Sequence, residues 1–384
     1  MTGQRIEPRD PVYRRIVVKV GSNVLTAGTA QLDATAMAAL AAQVTALVQQ
    51  GVQVILVTSG AVTAGRHRLR ADHDARELAP RDIRSRQALA AVGQSRLMSL
   101  WDDLFEQQEV AVGQALLTRR DLADRLGYLN ARNTLTALIE LGVVPVVNEN
   151  DVVSVEELIE STIGDNDNLS AQVANLVDAD LLLILTDIAG LYTADPSRDP
   201  SAKLIERVER IDDAIVEAAR GAPGSRGTGG MSTKVQAAKI ATQSGSHVVI
   251  ADGGARDIVL RAAAGEPVGT HFLPTGDHLE SRRRYLLSGL QTRGRVVVDD
   301  GAAGALLRNS SLLPAGVTAC EGAFGRGDVV LIVSREGRHL ASGVTNYSSA
   351  EVERILGQHS DQIATTLGYD YGAEVVHRNN LVLV

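Results

Sequence analysis

The sequence predicts an α/β protein in which a mainly parallel β-sheet is sandwiched by helices and a small β-rich domain follows it. Over the first 275 or so residues, short aliphatic runs alternate with longer helical patterns. Several of these runs are apolar almost throughout, which is typical of strands buried on both faces of a parallel sheet. Beyond them, glycines punctuate shorter apolar runs, and this change indicates the second domain.

The predicted elements of the first domain follow one another regularly. The helix after the first strand shows the pattern most clearly, because its apolar residues recur every three or four positions and so share one face. That face carries Met37, Leu40, Ala41, Val44, Leu47 and Val48. The predicted strands are 16–20, 52–57, 110–117, 143–147, 181–185 and 247–251. Further helices are predicted up to Leu100 and over 129–141, 169–177 and 232–244.

The boundary between the domains is indicated by a change of composition at the arginine run 282–284. We therefore predict one domain over residues 1–275, a linker over 276–291 and a β-rich domain over 292–384. Strands of the second domain are predicted at 296–298, 329–333 and 340–344.

Composition excludes several classes of protein. The formal net charge of -8 argues against a general binder of nucleic acid or of membrane surfaces, because such proteins are usually basic. The single cysteine, Cys320, cannot form an intramolecular disulfide, and no Cys/His spacing is typical of a zinc site. The sequence shows neither a signal peptide nor an apolar run long enough to span a bilayer. We expect a soluble, cytoplasmic protein with no membrane contact.

Ligands of open parallel sheets bind beyond the carboxyl ends of the strands, and four predicted strand ends carry small or polar residues. Lys19 lies in an aliphatic strand, where burial is costly unless the ammonium meets an anion, and Gly21 lets the backbone approach a ligand closely. Ser59 and Gly60 follow the next strand and open a helix, whose free amides bind carboxylate or phosphate. The alternatives are a lysine with its head in water and a plain glycine turn.

Carboxylates and amides are concentrated after a third predicted strand. The segment Asn148–Asp151 follows it directly, and Gly164–Asn168 comes after an intervening loop. The register of an EF-hand calcium loop is absent, so the remaining alternative to a ligand site is a pair of solvated turns.

The fourth strand end, Thr186 and Asp187, is matched by a glycine-rich segment, Gly227–Lys234, that opens a helix. Exposed amides, glycine clearance and one lysine are the parts of a phosphate cradle, although the Walker A spacing is not matched. Phosphoryl transfer to a carboxylate brings two anions together, so it needs cations on the phosphate and oriented groups on the acceptor. Lys19 and Lys234 could supply the cations, and the Asp/Asn clusters could supply the orientation and metal binding.

In their order and combination, these segments resemble the amino acid kinase family over nearly the whole chain. The matching segments are Val18–Ser22, Thr58–Ala61, Asn148–Asp151, Gly164–Asp167 and Gly227–Lys234. Within the family, the sequence is most similar to the members that phosphorylate the γ-carboxylate of L-glutamate. The tail from about Thr292 looks like a PUA domain, and the linker segment Arg282–Tyr285 suits that join.

The resemblance implies a role for each matching residue. The implied catalytic residues are Lys19, Asp165, Asp167 and Lys234, with Lys19 on the ATP phosphates and the aspartates organising the lysines and the metal. Ser59, Asp151 and Asn166 would hold glutamate, and Asp151 suits its ammonium group. The implied nucleotide contacts are Lys19, Thr186, Asp187, Thr228, Gly229, Gly230, Met231, Ser232, Thr233 and Lys234.

The implied reaction converts L-glutamate and ATP into γ-glutamyl phosphate, the first step towards proline, with Mg²⁺ as the cofactor and no metal ligand that the sequence identifies. The resemblance also implies feedback inhibition by proline competing with glutamate, γ-glutamyl phosphate reductase as a partner, and a homo-oligomer. The loop 152–163 departs from the family pattern, because Glu156, Glu157 and Glu160 make it more acidic.

The PUA-like tail is not expected to bind RNA. Residues 291–370 carry seven arginines, no lysine and nine acidic residues, a net charge of -2, and few aromatics. RNA recognition needs a basic or stacking surface, so a structural or regulatory role is favoured. The alternatives for the whole chain are another amino acid kinase acting on acetylglutamate, aspartate, carbamate or UMP, and an RNA-binding or RNA-modifying PUA protein.

Overall fold

The computed structural model describes residues 10–70, 83–154, 166–196, 198–221, 230–276, 292–308 and 310–383. They form two compact units. The first lies within Met1–Ala123 and Asn130–Asp277, and the second within Asp124–Leu129 and His278–Val384.

The first unit is built on an eight-stranded sheet. Its strands are β1 (Arg15–Val20), β2 (Gln53–Val57), β3 (Val112–Leu117), β4 (Val144–Glu149), β5 (Leu181–Thr186), β6 (Arg207–Val208), β7 (His247–Asp252) and β8 (Thr270–Phe272). Their order across the sheet is β3-β4-β2-β1-β5-β7-β8-β6. The described strand pairs are parallel except β7 with β8, so the carboxyl ends of β1, β2, β4 and β5 share one edge.

Helices connect these strands. They are α1 (Ser22–Leu25), α2 (Ala34–Gln49), α3 (Ala61–Arg70), α4 (Ile83–Glu106), α5 (Arg119–Ala123), α6 (Arg125–Glu140), α7 (Asn166–Leu176), α8 (Asp213–Gly221), α9 (Met231–Gln243) and α10 (Ile258–Ala263). Asp33 caps α2 by accepting hydrogen bonds from the backbone amides of Thr35 and Ala36, which satisfies two amides that the helix leaves free.

The alternation of side chains along β1 separates the two faces of the sheet. Ile16, Val18 and Val20 belong to the core cluster that includes residues of α2, α4 and α10. Since successive side chains of a strand point to opposite faces, Lys19 points to the other face, where α7 contacts β1. The fold thus directs the one charged residue of β1's buried stretch towards the start of α7.

The second unit has a five-stranded sheet with its own core. Its strands are β9 (Gly294–Val298), β10 (Val317–Glu321), β11 (Val329–Ser334), β12 (His339–Val344) and β13 (Leu381–Leu383), in the order β10-β9-β11-β12-β13. Its helices are α11 (Asp300–Leu307), α12 (Ser349–Ile355) and α13 (Ile363–Leu367). Ser348 and Glu351 form a capping box at the start of α12.

The structure confirms the predicted fold class and corrects several elements. The short strands β6, β8, β10 and β13 and the helices of the second unit were not predicted. The helical stretch expected to end at Leu100 contains two helices, and α4 continues to Glu106. The helix predicted from residue 169 begins at Asn166, so the acidic segment before it belongs partly to the first helical turn. None of the helices in the described ranges is both long and apolar enough to cross a membrane.

Candidate active site

A buried cluster of two lysines and one aspartate lies at the carboxyl edge of the sheet. Lys19 Nζ lies 2.6 Å from Asp167 Oδ1, and Lys234 Nζ lies 3.2 Å from Asp167 Oδ2. Lys19 is 5% exposed, Lys234 is 6% exposed and Asp167 is 0% exposed. Burial alone would raise the pKa of Asp167, but Lys19 and Lys234 outweigh it and hold that pKa below its usual range. Burial and the nearby Lys19 lower the pKa of Lys234, while Asp167 opposes this shift.

Two ammonium groups converge on one buried carboxylate in this cluster. Asp187 also acts on Lys234 and raises its pKa against the effect of burial. Buried ammonium groups are costly unless they meet anions, so an anionic ligand beside them would be stabilising. The cluster therefore fits a phosphate group of a bound nucleotide.

Three local structures place these groups. Lys19 comes from the pleat of β1, Asp167 from the first turn of α7, and Lys234 from the first turn of α9. Thr233, also on α9, donates a hydrogen bond from Oγ1 to Asp167 Oδ2 at 2.8 Å. The carboxylate thus ties α7 to α9 and to β1 at the sheet edge.

A network of amides lies beside the cluster. Asn166 Nδ2 is within hydrogen-bonding distance of the Thr58 carbonyl (3.1 Å), Ser59 Oγ (3.0 Å) and Asn148 Oδ1 (3.1 Å). Asn148 Nδ2 in turn donates to Gln94 Oε1 at 2.8 Å. Two predicted strand-end segments, at Ser59 and at Asn148, therefore meet here at Asn166. Asn166 precedes Asp167 of the lysine cluster in the chain.

Helix α4 supplies two residues that sequence reasoning missed. Gln94 binds Asn148, and Trp101, which is fully buried, donates from Nε1 to Thr58 Oγ1 at 3.0 Å. Nothing in the sequence distinguishes them from other polar and aromatic residues of an amphipathic helix. Only knowledge of how α4 packs in the fold could have identified Gln94 and Trp101 as site residues.

Asp151 has an unusual protonation equilibrium. Burial and the Glu149 carboxylate raise its pKa to about 6, although Arg86 opposes the shift. Glu149 is itself 4% exposed and accepts a hydrogen bond from Ser154 Oγ at 2.7 Å. A cationic ligand group beside Asp151 would favour the ionised form of its carboxyl group and lower its pKa again.

The predicted nucleotide residues at the end of β5 lie at the same edge. Thr186 Oγ1 donates to Asp187 Oδ1 at 3.1 Å, and Asn23 Nδ2 donates to Asp187 Oδ2 at 2.7 Å. Asp187 also lines a cavity of about 880 Å³ between α2, α10 and the turn after β7. At the start of α9, Met231 and Thr233 are buried, Gly230 is half-buried and Ser232 is exposed.

Some predicted site residues fall outside the described part of the chain: Asp165, Thr228 and Gly229, together with Glu156, Glu157 and Glu160 of the acidic loop. The structure brings together Lys19, Ser59, Asn166, Asp167 and Lys234 directly. In the described ranges, no group of three or more His, Cys, Asp or Glu residues could hold a metal ion.

Comparison with known proteins gives the class of this chain. Residues 14–252 match the amino acid kinase family, and residues 294–367 match the PUA domain. The chain belongs to the amino acid kinase family and carries a PUA domain.

Individual relatives of this chain carry the name of one particular activity within the family. The chain is 52% identical over 373 residues to the glutamate 5-kinase of Dehalococcoides mccartyi, covering 97% of this chain and 99% of that protein. It is 48% identical to the glutamate 5-kinase of Shewanella pealeana and 47% identical to that of Vibrio vulnificus. Those alignments cover 97% of this chain and 98% and 96% of the two relatives.

Proposed function

We propose that this chain transfers the γ-phosphoryl group of ATP to the γ-carboxylate of L-glutamate and releases γ-glutamyl phosphate and ADP. The observation that carries the proposal is the buried cluster in which Lys19 and Lys234 share Asp167. Its two buried ammonium groups suit a phosphate, and the amide network beside it suits a polar acceptor. The names and the near-complete overlap of the relatives support glutamate as that acceptor.

Catalysis in this proposal is alignment plus charge neutralisation. The γ-carboxylate is already an anion, so no general base has to remove a proton. Lys19 and Lys234 stabilise the charge on the transferring group, while Asp167 holds both ammonium groups in place. Asp165 is assigned to the same task from the sequence, and Thr186, Asp187 and the segment 228–234 are assigned to the nucleotide.

Mg²⁺ is the proposed metal. It retains waters and binds readily through substrate phosphates, which suits a nucleotide site. The metal would neutralise phosphate charge in the nucleotide complex.

Acceptor specificity is tested by ADP release with L-glutamate, N-acetylglutamate, L-aspartate and UMP as separate acceptors. We expect turnover with L-glutamate to exceed the others by at least about 100-fold, because a site that hydrogen-bonds a substrate group rejects analogues lacking it. Preferred turnover of any other acceptor would overturn the glutamate proposal and leave the kinase class intact.

Four finer points of the function are also proposals. Proline competes with L-glutamate, γ-glutamyl phosphate reductase receives the labile product, the chain forms a homo-oligomer, and it works in the cytoplasm. The PUA domain has a structural or regulatory task. Initial rates at saturating proline test the first point, because a rate that stays constant at low glutamate excludes competition.

A further inference from the structure

The amide of Asn166 has a fixed orientation. Its Nδ2 faces the backbone carbonyl of Thr58 at 3.1 Å, and a carbonyl oxygen can only accept a hydrogen bond. A flipped Asn166 would place its Oδ1 against this carbonyl oxygen, with no hydrogen between the two acceptors. Its Oδ1 therefore points away, and in the described part of the chain this buried oxygen has no hydrogen-bond partner.

The orientation of Asn166 fixes that of its neighbour. Because Nδ2 of Asn166 approaches Asn148 at 3.1 Å, Asn148 must present its Oδ1 there. Asn148 Nδ2 is then directed to the opposite side, where Gln94 Oε1 accepts from it at 2.8 Å. The donors of this amide relay point from Asn166 through Asn148 to Gln94, and the free acceptor is Asn166 Oδ1.

The end of the relay is held rigidly. Helix α4 packs backbone to backbone on α3: a Cβ added to Gly93 would lie 1.8 Å from the carbonyl oxygen of Ala61. Ala61 opens α3 directly after Ser59 and Gly60. Gln94, the residue after Gly93, is therefore held at a constant distance from the loop that binds Asn166.

We propose that Gln94 is a positioning residue for the acceptor substrate. It satisfies the buried Asn148 amide, which keeps Asn148 Oδ1 towards Asn166 and leaves Asn166 Oδ1 free to accept from the substrate's α-ammonium group. Gln94 touches neither substrate nor phosphate in this arrangement. The inference rests on the proposed glutamate kinase function and deepens it.

The test replaces Gln94 with Met, which has similar length but lacks the amide oxygen and offers only a weakly accepting thioether sulfur. We expect the KM for L-glutamate to rise about 10-fold, the value of one lost hydrogen bond in a ligand site. The KM for ATP and kcat should stay within about 2-fold, because the lysine cluster is untouched. Ser95→Ala on the same helix, at an exposed position, is the matched control.

A double-mutant cycle separates positioning from general stability. The dissociation constant of L-glutamate is measured by calorimetry, with a non-hydrolysable ATP analogue present, for the unchanged chain, Gln94→Met, Asn148→Ala and the double variant. If Gln94 acts through Asn148, the double variant binds glutamate no more weakly than Asn148→Ala. Additive losses, or a parallel loss of analogue affinity, would contradict the inference; Gln94→Ala replaces the Met variant if the latter does not fold.

Failure of this inference differs from failure of the proposed function. If the unchanged chain neither binds nor phosphorylates L-glutamate, the function is wrong and the inference falls with it. If the unchanged chain is active and Gln94→Met retains its glutamate affinity, only the positioning role is wrong.

Discussion

Asp167 is the residue on which the charge balance of the site depends. Its carboxylate has no exposure to solvent and lies within ion-pair distance of two ammonium groups. Removing one partner of a buried ion pair usually destabilises a protein, because a charge is left uncompensated. Here Asp167 keeps one ammonium partner, Lys234, when Lys19 is removed.

Lys19→Met is expected to separate stability from activity. The melting temperature without nucleotide should change little, since Asp167 keeps its ion pair with Lys234. The kcat should fall about 10²- to 10³-fold, the usual cost of removing one group that stabilises transferred charge. Thermal melting and ADP release measure the two effects. Lys239→Met, at an exposed position on α9, is the control, and a large fall in melting temperature for Lys19→Met would refute the charge argument.

The raised pKa of Asp151 predicts a pH dependence of substrate affinity. Protonation would remove the charge that we propose pairs with the substrate ammonium, so kcat/KM for L-glutamate should fall as the pH drops through about 6. Glu149→Gln removes one cause of the raised pKa and should move this inflection to lower pH. The measurement is kcat/KM for L-glutamate in both chains at pH values from about 5 to about 8, taken at intervals of roughly half a pH unit. An inflection that does not move would show that Glu149 does not act on Asp151.

Sequence reasoning reaches some of these residues and not others. Lys19 is conspicuous as a charged residue inside an aliphatic run, and Asp167 as part of a segment rich in carboxylates and amides. Gln94 and Trp101 are not, because a polar or aromatic residue in a helix gains meaning only from what packs against it. The raised pKa of Asp151 likewise depends on its burial and on the proximity of the Glu149 carboxylate, and the sequence gives neither. The roles assigned to Asp165, Thr228 and Gly229 stay predictions.

At the scale of elements, the contact of α3 with α4 is the most demanding packing in the described part of the site. Gly65 and Gly93 face each other's helix backbone, where an added Cβ would lie 1.8 Å from a carbonyl oxygen in both cases. Alanine usually stabilises a helix by about 1 kcal/mol relative to glycine. At this contact the clash with rigid backbone outweighs that gain.

Gly93→Ala should destabilise the chain by about 1–3 kcal/mol, the range for overpacked cores, and raise the KM for L-glutamate by displacing Gln94. Gly304→Ala is the matched change on an open helix, because its Cβ would meet only the Arg308 side chain at 3.5 Å. Chemical unfolding of both variants gives the comparison. Equal stabilities for the two variants would show that the helices can separate without cost.

The antiparallel pair β7–β8 carries a pH-sensitive contact. His247 Nδ1 and His271 Nε2 lie 3.0 Å apart, with Tyr13, Asp180 and Arg207 as their facing groups. Burial is the main reason why both histidine pKa values are lowered from 6.5. The unfolded chain therefore takes up protons before the folded one, and stability is lost as the pH falls below about 6.5.

His271→Gln should flatten this dependence. We expect the melting temperature to fall less between pH 7.5 and pH 5.5 than in the unchanged chain, because one suppressed histidine is gone. Melting curves across roughly that pH range give the slopes. An identical slope would show that the histidine pair does not contribute.

The elements also show what periodicity can predict. Long aliphatic strands and the helix with the face Met37 to Val48 are predicted well, since their patterns extend over several turns or residues. β6 and β8 have two and three residues. Such strands exist because a neighbouring edge is available for hydrogen bonds, so no local pattern predicts them.

At the scale of the whole molecule, the chain consists of two units with separate cores. Residues 277–291 of the predicted linker lie outside the described ranges, and the predicted boundary stays a prediction. Leu129, which belongs to the second unit, forms a small buried cluster with Val329, Val344 and Val382, and the sequence did not predict it.

The central claim is that the whole chain makes a γ-acyl phosphate of glutamate, and trapping this product tests it most directly. Incubation with ATP, Mg²⁺, L-glutamate and hydroxylamine should yield γ-glutamyl hydroxamate, because hydroxylamine displaces phosphate from the acyl phosphate. Chromatography with mass spectrometry distinguishes this product from the α-isomer. We expect the γ-hydroxamate in amounts matching ADP, and its loss in Lys19→Met. ADP release without the γ-hydroxamate, or hydroxamate formed on the α-carboxylate, would contradict the claim.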